Sequence, residues 1–284
     1  MSELFGISMV YEDKGMSGFY ENYVKLMGNL TEPDRATPYK INYLKKIIKK
    51  DKVYKFISFE GDASLVRTKI ETLKQGKIWF SFYKTLNDET EFYMNYNAKK
   101  ISQITGRSTN SVHLLVNYLT EMYDVYSLTY EYQKSMWQDY AAGGNGICIE
   151  YNVGDYDYLY PVEYLEKTDI DFEQMIISAI TGKNLALAII PWVIKNPVNI
   201  TANMDSTKEK EVRMLYCPYD LAELNSGRVE MNIKERLHYK GIAKPYTDFE
   251  LSVSKIVIGN KCCYDTVKEL EIFCDANGIS YTYL

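Results

Sequence analysis

Apolar residues recur along this chain at two spacings, one typical of helices and one typical of strands. The short alternating or continuous apolar segments that predict strands cover residues 53–59, 77–82, 125–130, 146–151, 159–164, 255–258 and 280–284. Between the first two, Asp62 precedes apolar positions such as Ile70 and Leu73 on one helical face, and Gly76 follows. Asp and Gly are favoured at helix starts and ends, so this segment predicts a capped helix between two strands. Further helices are expected over 91–105, 109–123 and 266–276.

The order of these elements predicts the fold class and the domain organisation. Short strands mixed with helices predict an α+β domain over residues 51–284, with a mixed central sheet and flanking helices. Residues 1–50 contain two helical patterns separated by a polar break at Pro33, and they predict a short N-terminal helical annex. The last strand, 280–284, is expected to be paired.

Composition indicates the cellular compartment of the protein and limits the classes of partner that it is expected to bind. The 284 residues carry a net charge of −5, so no general attraction to nucleic acid or to a membrane surface is expected. Five cysteines without a C-x-x-C spacing favour a reducing compartment, and we see no secretory signal. The long apolar stretch 175–194 is broken by charged and proline residues, which favours a buried helix over a membrane span. A cytoplasmic location is expected.

The abundance of tyrosine has two interpretations. Twenty-seven tyrosines are present. We favour rings that fill core edges and a wet cleft, because tyrosine is both apolar and hydrogen-bonding. A surface that stacks nucleic-acid bases is the alternative.

Three segments contain candidate functional residues. The first includes Trp137 and Tyr140 and runs through a glycine-rich link into the strand at Gly146. The glycines favour a sharp turn. A phosphate cradle is the weaker reading, because the link precedes a strand and lacks the P-loop lysine.

The second segment follows the strand that ends near Ser81 and contains Asn87, Asp88 and Glu91. Polar residues beyond a strand end often face a cleft, but the same residues are also typical helix caps, so both readings stay open.

The third segment contains Glu209, Glu211 and Arg213. If residues 209–216 form a strand, these three side chains share one face. Such a group forms either a salt-bridged edge, which we favour slightly, or a catalytic carboxylate oriented by its neighbours.

Taken together, these segments resemble the bacterial domain of unknown function 2971 over roughly residues 52–259. The matching elements are Tyr54-Lys55-Phe56, Trp79-Phe80-Ser81, Asn87-Asp88 with Glu91, Met136-Trp137 with Tyr140-Ala141, Gly146-Ile147-Cys148-Ile149, and Glu209 to Arg213. The resemblance implies a bacterial protein of a family without an established activity. Some members of this family are expected near mobile and defence genes, which suggests a role in phage defence or toxin biology.

A looser likeness connects the chain to ADP-ribosyltransferases, in which a basic residue, a strand ending in Ser and a late Glu-x-Glu occur in this order. Lys55, Ser81 and Glu209-x-Glu211 stand in that order here. The likeness implies an NAD-using enzyme in which Glu211 and Glu209 are catalytic and stabilise an oxocarbenium-like centre. It also implies that Lys55 contacts the pyrophosphate and that Ser81 positions the ribose.

The remaining ligand-binding candidates are Asn87, Asp88, Trp137, Tyr140 and Arg213. NAD is expected as a substrate and not as a tightly bound cofactor, no metal is assigned, and the protein or nucleic-acid acceptor is left open. One alternative is a metal-dependent phosphodiesterase or nuclease in which Asp88, Glu91, Glu209 and Glu211 bind Mg²⁺. The other is a non-enzymatic module that binds a ligand or a partner.

Overall fold

The computed structural model describes residues 18–27, 35–86, 92, 94–167, 172–181, 189–199, 204–218 and 238–284. Within these ranges there are nine α-helices: α1 Phe19–Met27, α2 Ala36–Ile47, α3 Ala63–Lys74, α4 Ala98–Thr105, α5 Thr109–Thr120, α6 Ser135–Tyr140, α7 Glu173–Ile180, α8 Ile190–Val193 and α9 Tyr264–Asn277. The strands are β1 Lys52–Ser58, β2 Lys77–Phe82, β3 Asp124–Thr129, β4 Gly146–Val153, β5 Tyr160–Pro161, β6 Glu163–Tyr164, β7 Ile194–Lys195, β8 Val198–Asn199, β9 Met204–Asp205, β10 Glu211–Tyr216, β11 Gly241–Pro245, β12 Leu251–Ile258 and β13 Ser280–Tyr283.

Nine strands form one mixed sheet. Seven of them follow the order β11-β2-β3-β1-β4-β12-β13, and β10 pairs with both β3 and β5. All pairs are antiparallel except β12 with β13, which is parallel. Two strands share one edge of β3: β2 pairs with it at Val125, and β1 pairs with it at Thr129. The sheet is therefore split between β1 and β2. The predicted α+β class with a mixed sheet and flanking helices is confirmed.

The two faces of the sheet bury different cores. On the first face, strand residues such as Ile149 and Ile256 pack with Ile70 of α3 and Leu270 of α9. On the second face, α6 covers Phe56 and Cys148 at one end. A third cluster, built on α1, α4, α5, α7 and α8, includes Val125 and extends to the β10 side. The second face of β10 therefore meets a helical layer, whereas its first face belongs to the main core.

The annex helices pack directly on the strands that follow β4. Glu163 of β6 accepts hydrogen bonds from the backbone N–H groups of Phe19 and Tyr20 at 2.8 and 3.1 Å, and so caps the start of α1. Lys40 of α2 is buried, pairs with Asp157 at 3.0 Å and lies over the ring of Tyr160.

Several sequence-based boundaries need correction. The strand expected over 209–216 begins only at Glu211, because residues 206–209 form a 3₁₀ turn. The helix expected from residue 91 begins at Ala98, where the Asn97 side chain caps it. The segment 159–164 forms two short strands in place of one, and the apolar stretch 175–194 holds α7, α8 and the start of β7 instead of a single helix.

The glycine-rich link serves as the turn that its composition predicts. Gly143 and Gly144 have φ angles of 60° and 108°. A Cβ on Gly146 would lie 2.2 Å from the carbonyl oxygen of Ile57, so only glycine fits beside β1 there. The expected pairing of the last strand is also confirmed, since β13 lies beside β12.

Among the residues that the structure describes, no helix is long and apolar enough to cross a bilayer.

Candidate functional site

Two carboxylates meet at a buried lysine beside the start of β10. Lys195 Nζ donates a hydrogen bond to Glu209 Oε2 at 2.7 Å and lies 3.5 Å from Glu211 Oε2. All three side chains are buried, with residue exposures of 7% or less. Buried charges are tolerated when they are paired and hydrogen-bonded, and this cluster satisfies both conditions.

The backbone before β10 brings these carboxylates together. Asp205 caps the 3₁₀ turn Ser206–Glu209 by accepting from the N–H of Thr207 at 3.1 Å. Lys210 then adopts the left-handed conformation with a φ angle of 50°, an uncommon state for a residue with a Cβ. Glu209 in the turn and Glu211 in the strand therefore reach the same ammonium, although they do not lie on one regular strand.

Arg213 fixes Glu211 from the same face of β10. Its Nε donates to Glu211 Oε1 at 2.7 Å and its second terminal nitrogen donates to Oε2 at 3.1 Å, which is a bidentate pair. The remaining terminal nitrogen donates to the carbonyl oxygen of Trp192 in α8 at 2.8 Å. Arg213 is 1% exposed, so its role in the fold is to hold Glu211 and to join β10 to the helical layer.

Tyr140 connects the cluster to the protein surface. This residue ends α6 and is half-buried, and its hydroxyl donates to Glu209 Oε1 at 2.7 Å. One turn earlier, Trp137 is 3% exposed and packs edge-on against Phe56. Trp137 is buried and supports Tyr132 through the hydrogen bond from its indole N–H, and ligand binding by Trp137 stays a prediction.

The two carboxylates have opposite protonation tendencies. Burial and the neighbouring charge of Glu211 raise the pKa of Glu209 above its ordinary value. Burial would also raise the pKa of Glu211, but the charges of Arg213 and Lys195 outweigh it and hold this pKa well below its usual range. Burial and the charge of Glu209 raise the pKa of the Tyr140 hydroxyl, so Tyr140 stays protonated as a donor. Two neighbouring carboxylates with pKa values shifted in opposite directions are typical of sites that carry out acid–base chemistry.

Two residues of this site were missed by the sequence analysis. β6 and β7 pair in parallel and align Tyr164 with Lys195, and the Tyr164 hydroxyl accepts a hydrogen bond from the Glu211 N–H at 3.1 Å. A sequence signal existed for Lys195, which directly follows the apolar run from Ile189 to Ile194. A lone lysine at the end of such a run must find a buried partner.

Two other predicted site residues, Lys55 and Ser81, lie apart from the carboxylates. Lys55 follows Tyr54 on β1 and so points to the opposite face, where its Nζ donates to the Ser127 carbonyl oxygen at 2.8 Å, in the split between β1 and β2. Burial lowers the pKa of Lys55 to about 8, although the charge of Glu211 opposes this effect.

Ser81 lies on the same face of the sheet as Glu211, but it is level with the opposite end of β10. It pairs with Val125, which pairs with Leu215, and Leu215 is roughly 14 Å along β10 from Glu211 at the usual rise of a strand. Asn87, Asp88 and Glu91 lie outside the described residues.

An open cleft of about 790 Å³ lies elsewhere, at the starts of α4, α5 and α7. Its lining includes Tyr96 and His113, whose Nδ1 lies 2.8 Å from the Tyr96 hydroxyl. His113 is exposed, because the buried face of α5 is formed by Val112 and Val116. None of the predicted site residues that the structure describes lines this cleft.

Within the described ranges, no group of three or more His, Cys, Asp or Glu side chains is arranged to hold a metal ion. Comparisons with protein-family models, with curated proteins and with solved structures found no match to this chain.

Proposed function

We propose that this protein is an ADP-ribosyltransferase-like enzyme that uses NAD, and that Glu209 is the carboxylate that acts on the substrate. The observation that carries the proposal is the Tyr140–Glu209–Lys195–Glu211 cluster. In it, one carboxylate has a raised pKa and the other is held ionised. Two carboxylates whose pKa values are pushed apart in this way are suited to glycosidic bond chemistry.

The two acids have different roles in this proposal. Both oxygens of Glu211 accept from Arg213, so we assign Glu211 to positioning, because it holds Arg213 and the Lys195 ammonium beside Glu209. Glu209 is bonded to the half-buried Tyr140, and a ribose hydroxyl of the substrate can replace that contact. This assignment differs from the sequence-based expectation, in which Glu211 and Glu209 are both catalytic.

The reaction is a substitution at the ribose carbon. The bond between this carbon and the nicotinamide nitrogen breaks, and its electron pair leaves with neutral nicotinamide. The Glu209 carboxylate, in direct contact with the ribose, stabilises the positive charge that develops there. The acceptor forms the new bond to the same carbon, and its proton passes to Glu209, whose raised pKa makes it a stronger base.

The described geometry favours this function over a metal-dependent phosphodiesterase. A divalent ion would need carboxylate oxygens of Glu209 and Glu211, and these already accept from Tyr140, Lys195 and Arg213. Displacing these partners would leave two cations buried without a counter-charge, which is costly. We place the protein in the cytoplasm, where NAD is available and where its five free cysteines would stay reduced.

The test is NAD turnover in EDTA, with a cell lysate as the source of acceptors. The wild-type protein should release nicotinamide or transfer label from NAD. Glu209→Gln should lower the rate by about 10²-fold or more, because it keeps the shape but removes the base. Asp139→Asn is the matched control, since it removes an exposed charge next to Tyr140 and leaves Glu209 intact. NAD left intact with every acceptor, together with Mg²⁺-dependent cleavage of nucleic acid, would overturn the proposal in favour of the phosphodiesterase.

A further inference from the structure

A row of paired side chains crosses the second face of the sheet from the carboxylates to a lysine. Glu211 pairs with Thr129, Thr129 with Tyr54, Tyr54 with Glu150, and Glu150 with Lys255. Residues that pair directly point to the same face. Neighbouring strands are ~4.8 Å apart, so Tyr54 lies ~10 Å from Glu211 and Lys255 lies ~10 Å further on. An aromatic ring therefore stands midway between the carboxylate cluster and a lysine.

Tyr54 and Tyr132 form a rigid aromatic surface in the middle of this row, which we call the tyrosine platform. Their ring centroids are 5.6 Å apart in an edge-on arrangement, and Tyr132 also lies 5.8 Å from the ring of Phe56. The Trp137 Nε1–H donates to the Tyr132 hydroxyl at 2.9 Å and fixes the orientation of that ring. Tyr132 is nevertheless 38% exposed, so an oriented ring is presented to solvent.

The charges around the platform favour an anionic ligand. Glu150 is paired with Lys52 at 2.9 Å, and Lys255 stands opposite Glu150 on the next strand. Lys255 has no ion-pair partner within the described ranges. Two ammonium groups thus face one carboxylate, and the excess charge is positive.

We infer that the tyrosine platform binds the planar base of a nucleotide and that Lys255, with Lys52, binds its phosphate. Every nucleobase has a face that stacks on an aromatic side chain, and an ammonium group supplies the counter-charge for a phosphate. The inference goes beyond the proposed function, because Lys255 lies on the side of the platform away from Glu211, and a ribose between the stacked base and that phosphate cannot reach Glu209. The base binding itself requires no turnover.

The first test measures the binding of AMP by calorimetry. The wild-type protein should bind AMP, and Tyr132→Ala should weaken the affinity ~10-fold or more through the loss of stacking. Tyr158→Ala is the matched control, because Tyr158 is 40% exposed and lies outside the platform, so its removal should leave the affinity unchanged. Absence of AMP binding, or equal affinities for wild type and Tyr132→Ala, would overturn the inference. Tyr54→Ala repeats the test if Tyr132→Ala does not fold.

The second test separates the base from the phosphate by comparing AMP with adenosine. Lys255→Met should weaken AMP binding about tenfold and leave adenosine binding unchanged, because only AMP carries the phosphate. Its control is Lys134→Met, which removes an exposed lysine at the start of α6, outside the row. An equal loss for both ligands, or no loss for either, would contradict the assignment of Lys255.

The outcomes also separate this inference from the proposed function. A protein that binds AMP through the platform but never consumes NAD would refute the enzyme and leave the nucleotide site standing. A protein that consumes NAD but does not bind AMP would support the enzyme and refute the platform.

Discussion

The Tyr140 hydroxyl donates a 2.7 Å hydrogen bond to Glu209, a residue 69 positions further along the chain. This contact joins α6, which covers one end of the sheet, to the turn that precedes β10. Tyr140 is half-buried, whereas Glu209 is buried. In the proposed mechanism, the substrate displaces or replaces the Tyr140 hydroxyl when it reaches Glu209.

Removing that hydroxyl should change the pH dependence of NAD cleavage. The hydrogen bond from Tyr140 lowers the pKa of Glu209 and partly offsets the larger effects of burial and of Glu211, which raise it. Tyr140→Phe therefore raises the pKa of Glu209 further, and a base is active only when ionised. We expect the acidic limb of kcat/KM for nicotinamide release to move to higher pH by up to about one unit. Tyr158→Phe should leave the limb in place, and a Tyr140→Phe limb that stays at the wild-type pH would contradict the assignment of Glu209.

Loss of Arg213 should destabilise the fold strongly. Arg213→Met leaves Glu211 buried with only Lys195 as a counter-charge, so we expect a loss of about 3–5 kcal/mol in the free energy of unfolding. The double variant Arg213→Met/Glu211→Leu removes both charges and should recover much of that loss. Urea unfolding measures both, and a double variant less stable than Arg213→Met alone would show that the pair is not coupled in this way.

The ion pair between Arg213 and Glu211 should also make the stability of the protein sensitive to acid. The pKa of Glu211 is depressed in the folded state, so its stabilising contribution is complete above the unfolded value of about 4.3 and declines as pH falls below it. Glu209 has the opposite sign, because a raised pKa gives a contribution that declines as pH rises through the folded value. Between pH 5 and about pH 2 the free energy of unfolding should therefore fall more steeply for wild type than for Arg213→Met/Glu211→Leu. Parallel pH profiles would refute the depressed pKa of Glu211.

Trp137 should act as a packing residue. Trp137→Ala removes a buried indole that contacts Phe56 and holds Tyr132, and it should cost about 3–5 kcal/mol. The matched control is Trp79→Ala, since Trp79 is 41% exposed and its loss should cost less, about 1–2 kcal/mol. Denaturant unfolding compares the two variants, and similar losses in the free energy of unfolding would contradict a core packing role for Trp137.

The sequence predicts the elements of this fold better than their arrangement. Alternation identifies β2 over 77–82 and places β13 at the end of the chain, because each strand has its own apolar pattern. It does not reveal that β3 pairs with β10, β2 and β1 at once, since strand order depends on contacts far apart in sequence. The gap between β1 and β2 that holds the Lys55 side chain is a consequence of that strand order.

The same distinction applies to the candidate site, whose residues are predicted from the sequence but whose contacts are not. Glu209, Glu211 and Arg213 are visible as a charged segment, but Lys195 is not visibly linked to them, because β6, β7 and a left-handed Lys210 create the contact. Tyr140 is a candidate in the sequence because of the segment that it shares with Trp137, but its contact with Glu209 is known only from the fold.

The central claim is that the two carboxylates hold protons with different affinities, and nuclear magnetic resonance of glutamate side-chain carboxyl carbons tests it most directly. The resonances of Glu209 and Glu211 are assigned by their disappearance in Glu209→Gln and Glu211→Gln and are followed as pH is lowered. We expect Glu209 to titrate above the ordinary glutamate value and Glu211 to remain ionised down to the lowest pH at which the protein is folded. Titration of both carboxyl groups together near the ordinary value of about 4.3 would contradict the account.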